Sequence, residues 1–116
     1  MRPMKKFVVI HKGHRPSVLD MHESWAEWLD RRAASIADVG SGFGPGRRIT
    51  SRRTTELSLR SNPASGYVIV HAEHIDAAEQ LLEGCPIVDS LTLYEAIGRG
   101  GQPRIEQIPR TKEDSR

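Results

Sequence analysis

Long apolar runs are missing from this chain. Its clearest apolar stretches, Phe7-Val8-Val9-Ile10 and Tyr67-Val68-Ile69-Val70, are four residues each. A membrane-crossing helix needs about 20 such residues, and a secretory leader needs a longer core than the one behind the basic segment Met1–Lys6. The expected location is therefore the cytoplasm, with no membrane partner. Cysteine is nearly absent as well. A lone Cys85 excludes an internal disulfide framework, and no Cys/His cluster has the spacing of a zinc site, so no metal and no cofactor are expected. Aromatics are scarce, at 5%. A strong charge of one sign is lacking too: 17 basic against 15 acidic residues give +2, too little to mark a nucleic-acid protein.

What remains is a chain of 116 residues, 37% hydrophobic and 28% charged, the size of one domain with a lean core. Phe7–Ile10 reads as a buried strand. Val18, Met21, Trp25, Trp28, Leu29, Ala33 and Ile36 recur near a 3.6-residue spacing, which predicts an amphipathic helix from about Ser17 to Ser35. The glycine-rich run Gly40–Gly46 reads as a loop, and Thr55, Leu57 and Leu59 alternate as in a half-exposed strand. Asn62–Gly66 reads as a second turn and Tyr67–Val70 as the strongest strand. Ile75 to Leu82 reads as a short helix stopped by Gly84 and Pro86, and Leu91–Tyr94 as a closing strand.

The order β-α-β-β-α-β is the ferredoxin-like arrangement, an α+β protomer spanning residues 1–97. Residues 98–116 form a polar tail with little to contribute to the core. Both helices are expected on one sheet face, which leaves apolar strand residues on the other to be covered by a second copy. The first strand and the Tyr67 strand are expected side by side and parallel at the centre.

The segment Gly66-Tyr67-Val68-Ile69-Val70-His71-Ala72-Glu73, then Asp76-Ala77-Ala78 and Gly84-Cys85-Pro86-Ile87, resembles the YCII-related (DGPF-type) proteins. The first half is similar too: Lys6–Ile10, Trp25-x-x-Trp28-Leu29, and Ile36-Ala37-Asp38 running into Gly42-Phe43-Gly44-Pro45. The resemblance implies a dimeric α+β barrel with a small-molecule cleft. Some family members look like enzymes using a His–Asp pair, and others accompany extracytoplasmic-function sigma factors. This chain departs from the family at three places. Trp25 stands where founding members carry a helix histidine, Ser61-Asn62-Pro63-Ala64 stands in place of Asp-Gly-Pro-Phe, and His74 stands where a serine caps the second helix.

The residues suited to chemistry are few. His11 and His71 end their strands and, with those strands parallel, are expected as a pair near one edge of the sheet, where imidazoles could move protons. Asp38 precedes the glycine run, where it could orient a histidine or bond its own backbone as a turn residue. His22 lies beside the apolar stripe of the first helix, three residues before the position of the absent family histidine. His14 sits in a loop with nothing to place it. Trp25, Phe43, Arg47 and Arg48 are expected to bind ligand, one arginine anchoring an anion. Arg47, Arg48, Arg52 and Arg53 form the dense basic patch, without aromatic residues on which bases could stack. The glycine run has neither the flanking elements nor the Gly-Lys-Ser/Thr of a phosphate loop. Cys85 is expected to pack beneath its turn.

Two functions fit. One is a small-molecule-binding homodimer performing cofactor-free acid–base chemistry, of lyase or isomerase type, on a small anionic organic compound. The other is a non-catalytic regulatory or protein-interaction module, as for members that accompany sigma factors. Convergence of His11, His71 and Asp38 on one concavity separates them: convergence favours the enzyme, scatter the module.

Overall fold

In the computed structural model, residues 3–13, 18–58, 60, 63–86 and 89–98 are described, with the backbone alone for 18–24. The elements are β1 (Lys5–Lys12), α1 (Val18–Arg31), a 3-10 turn (Ala33–Ser35), β2 (Ile36–Gly42), β3 (Arg47–Ile49), β4 (Thr54–Glu56), β5 (Ala64–Ala72), α2 (Ile75–Leu81) and β6 (Ser90–Ala96). The fold is α+β. Four strands form an antiparallel sheet in the order β2-β5-β1-β6, and β3 and β4 form a separate two-stranded ribbon.

Alternation along the strands decides which side chains are buried. On β1, Phe7 and Val9 point inward. On β5, Val68, Val70 and Ala72 do the same, and register places Phe7 opposite Val70 and Val9 opposite Val68. Onto this face α1 brings Trp28 and α2 brings Ala78, with Leu91 and Leu93 of β6 at the margin. The indole nitrogen of Trp28 donates to the carbonyl of Leu81 at 3.1 Å, which fixes α1 against the end of α2. Both helices thus lie on one face, as expected. The other face carries Val8 and Ile10 of β1, Tyr67 and Ile69 of β5, and Thr92 and Tyr94 of β6. Val8 stands between Ile69 and Tyr94, and Ile10 between Tyr67 and Thr92.

Several expectations are corrected. The first helix stops at Arg31 rather than Ser35, and Ser35 bonds back to Arg32 in a 3-10 turn. The expected start of that helix, Ser17, lies outside the described residues. The glycine run is not wholly a loop: β2 extends to Gly42 and is the second strand of the main sheet. The expected strand around Thr55 belongs to the ribbon instead, and Ala64, Ser65 and Gly66 begin β5 rather than closing a turn. Among the described residues, six strands replace the expected four. β2 tolerates its glycines because it is an edge strand with shifted register. At Gly40 the backbone takes φ +73, and a Cβ would strike the carbonyl of Tyr67, so only glycine lets the two strands approach. The central pair β1 and β5 is antiparallel, not parallel. Beyond Gly98 the expected tail lies outside the described residues.

Candidate functional site

The antiparallel pairing redistributes the expected site. His11 stands opposite Gly66, while His71 stands opposite Lys6. Five residues of strand, about 16 Å at ~3.3 Å each, separate the two positions. They also occupy opposite faces. His11 follows Phe7 and Val9 on the helix-covered side, and His71 follows Tyr67 and Ile69 on the open side. The expected histidine pair therefore does not form. A parallel pairing would have brought the two strand ends together, and the observed direction sends them apart.

Three clusters result. In the first, the ring of His11 meets that of Trp25 edge-to-face, with centroids 4.4 Å apart, and Trp25 in turn meets Trp28 at 5.6 Å. The ring lies over Gly66, whose lack of a side chain is needed for the close approach of β2, since a Cβ there would lie 2.9 Å from the Ser41 carbonyl oxygen. Burial lowers the pKa of His11 below its ordinary value, because an apolar niche disfavours the imidazolium. Its Nδ1 is sealed and has no hydrogen-bond partner among the described residues. A buried lone pair costs less than a buried, unbonded N–H, so the neutral tautomer carries its proton on Nε2. His11 is accordingly a neutral ring with its Nε2–H left to donate.

The second cluster lies at the same end of the sheet on the open face. Asp38 accepts from the Gly40 amide at 2.8 Å through Oδ1, the turn-residue arrangement, and from the Tyr67 hydroxyl at 3.4 Å through Oδ2. Phe43 stacks on Tyr67 with centroids 5.9 Å apart. Sequence reasoning chose Asp38 and Phe43 but missed Tyr67, which joins them. Its alternation with Ile69 and His71 was the available signal.

The third cluster surrounds His71. It lines a broad, open cavity of about 1100 Å³ at the other end of the sheet, together with Arg32, Glu73, Asp76, Glu79 and Glu83. None of those five was expected to bind ligand, because the fold alone brings them together: Asp76 and Glu79 lie on α2, Glu73 and Glu83 flank it, and Arg32 follows α1. Four carboxylates there oppose an anionic ligand.

The remaining expected residues stand apart. Arg47 pairs with Glu56 at 3.5 Å on the exposed ribbon, and Arg48 faces Thr55 across it. The side chain of His22 and the whole of His14 lie outside the described residues. His74 caps α2 through Nδ1, which accepts from the Ala77 amide at 3.1 Å. It thus replaces the expected serine with an equivalent acceptor. Cys85 is buried, and burial pushes its thiol up to about 12, so it packs as an inert side chain. Among the described residues, no three His, Cys, Asp or Glu side chains gather as a metal site would require. No helix among them is long and apolar enough to cross a membrane. No family model, curated protein or solved structure matches the chain.

Proposed function

We propose that this chain is a homodimeric interaction module: a ferredoxin-like protomer of YCII type that pairs with a second copy and acts in regulation by binding, not by catalysis. The observation that carries this reading is the open sheet face. Val8, Ile10, Tyr67, Ile69 and Tyr94 lie side by side across three strands, the described core side chains of both helices pack on the other face, and Tyr94 is 58% exposed. Contiguous apolar surface of this kind marks an association site. A two-fold dimer would use the same patch on both copies. The scatter of His11, Asp38 and His71, and the engagement of Asp38 by its own backbone, support binding over acid–base catalysis.

A second reading, a cleft for a small anionic organic compound, is favoured by one observation. His11 is a desolvated imidazole beside Trp25 whose Nε2–H could donate to a carboxylate or phenolate. Sedimentation equilibrium tests the leading reading. It should give twice the 13.0 kDa chain mass at micromolar concentration. Ile69→Lys, on the open face and outside the core, should give a folded monomer by circular dichroism. A wild-type monomer, or an Ile69→Lys dimer of unchanged affinity, contradicts it.

A further inference from the structure

The ribbon of β3 and β4 is basic and stands apart from the core. All six ladder residues are exposed, Ile49 by 78%. The Leu57 amide closes its base on the Gly46 carbonyl at 2.9 Å. At the tip, the Thr50 amide donates to the Arg53 carbonyl at 2.9 Å, and Thr50 Oγ1 accepts from the Arg52 and Arg53 amides at 3.2 and 3.1 Å. Arg52 and Arg53 are thereby held at the end of a defined turn. Glu56 offsets Arg47, whereas Arg48, Arg52 and Arg53 have no acidic partner among the described residues. A two-stranded ribbon alone is marginally stable in water, so an ordered one needs a surface to lie on.

The complementary surface is at the opposite end of the molecule. The cavity beside His71 gathers Glu73, Asp76, Glu79 and Glu83 against the single Arg32, with Met4 exposed at its side. Among the described residues the carboxylates of Asp76 and Glu79 have no basic partner, and Arg31 reaches Glu83 at its backbone carbonyl, 3.3 Å away. The ribbon's own cavity is out of reach. The chain leaves β2 at Gly42, opposite Gly66, while the cavity begins at His71 and Ala72. Six residues of β5, about 20 Å, lie between them, and the ribbon starts beyond.

We propose that the β3–β4 ribbon of each protomer docks in the acidic cavity of its partner. Arg48, Arg52 and Arg53 would face the carboxylates, and Ile49 would lie near Met4. This rests on the open-face dimer. A two-fold axis perpendicular to the strands sets the ribbon end of one copy over the cavity end of the other. A nucleic acid fits the ribbon less well, because residues 44–57 contain no aromatic side chain and Glu56 cancels one arginine.

The test uses the full chain. Arg52→Glu with Arg53→Glu should weaken the dimer roughly tenfold or more at low salt, since each reversal acts twice in a two-fold assembly, and the difference should shrink at high salt. Adding Asp76→Arg and Glu79→Arg to the same chain should restore the affinity. Ile49→Cys with Gln80→Cys should form an intermolecular disulfide on oxidation, giving a covalent dimer on a denaturing gel. A dimer unaffected by the arginine reversals overturns the ribbon contact, and so does one that the swap fails to rescue. A sedimenting dimer that never crosslinks overturns it too, in each case leaving the open-face pairing intact. If the reversals abolish retention of a DNA duplex while the dimer constant is unchanged, the ribbon is a nucleic-acid arm and the proposal is wrong. A wild-type chain that is monomeric throughout removes both the ribbon contact and the pairing beneath it.

Discussion

Trp28 is the side chain on which both helices depend, and Trp28→Phe measures that dependence. The indole is 1% exposed, and its Nε1 donates to Leu81 at 3.1 Å. Phenylalanine keeps an apolar ring in the core cluster but loses about two buried carbons, worth roughly 1.5 kcal/mol at ~0.8 kcal/mol each. The space left is about 40 Å³, adding about 1 kcal/mol at ~24 cal/mol per Å³. The Leu81 carbonyl loses its donor, for about 1 kcal/mol more. Partial relaxation and access of water to that carbonyl bring the expected loss to about 3 kcal/mol. Urea denaturation followed by circular dichroism should show a lower midpoint with an unchanged slope, at fixed protein concentration. The melting temperature should fall by roughly 10 °C or more. A loss below about 1 kcal/mol would refute the claim that Trp28 locks α1 to α2.

Three further outcomes follow from the same geometry. His11 should titrate below 6.5, and Trp25→Ala should move it back toward that value by admitting water, read by side-chain NMR. Because its folded pKa is depressed, its contribution to stability is present above about 6.5 and is lost as pH falls from there toward the folded value, a slope that His11→Gln should remove. An unshifted titration would contradict the niche. Gly40→Ala should cost more than about 2 kcal/mol, because it meets positive φ and the fixed Tyr67 backbone together. Gly84→Ala meets positive φ and the movable Arg31 guanidinium and should cost about 1 kcal/mol; equal costs by urea denaturation would contradict the distinction. Cys85 should resist a thiol reagent at pH 8 until urea unfolds the chain, and rapid labelling of the folded form would contradict its burial.

The strands that build the core were legible because Phe7–Ile10 and Tyr67–Val70 are β-branched or aromatic and bounded by turn residues. β2 was not. Ile36-Ala-Asp-Val-Gly-Ser-Gly has the composition of a loop, and it pairs only because an edge strand can bulge at Gly40 where β5 comes close. The ribbon was half legible: the alternation at Thr55 was real, but its partner was Arg48 and not the main sheet. For the histidines, two-residue alternation correctly grouped Phe7 with His11 and Tyr67 with His71. It carries no information on which way adjacent strands run or on which of the two faces the helices cover. Those are tertiary facts, and they separated His11 from His71. Asp38 was legible as a turn residue from the glycine two positions on. Its bond to Tyr67 depends on the register of β2 against β5, which the sequence does not display.

The open face is where two copies are proposed to meet. The most direct measurement is isotope-filtered NMR on a dimer mixed from labelled and unlabelled chains, which records contacts between protomers alone. Intermolecular contacts should run from Tyr67, Ile69 and Tyr94 to Val8 and Ile10 of the partner copy. Contacts arising only from the helix-covered side, or none from these five residues, would contradict it.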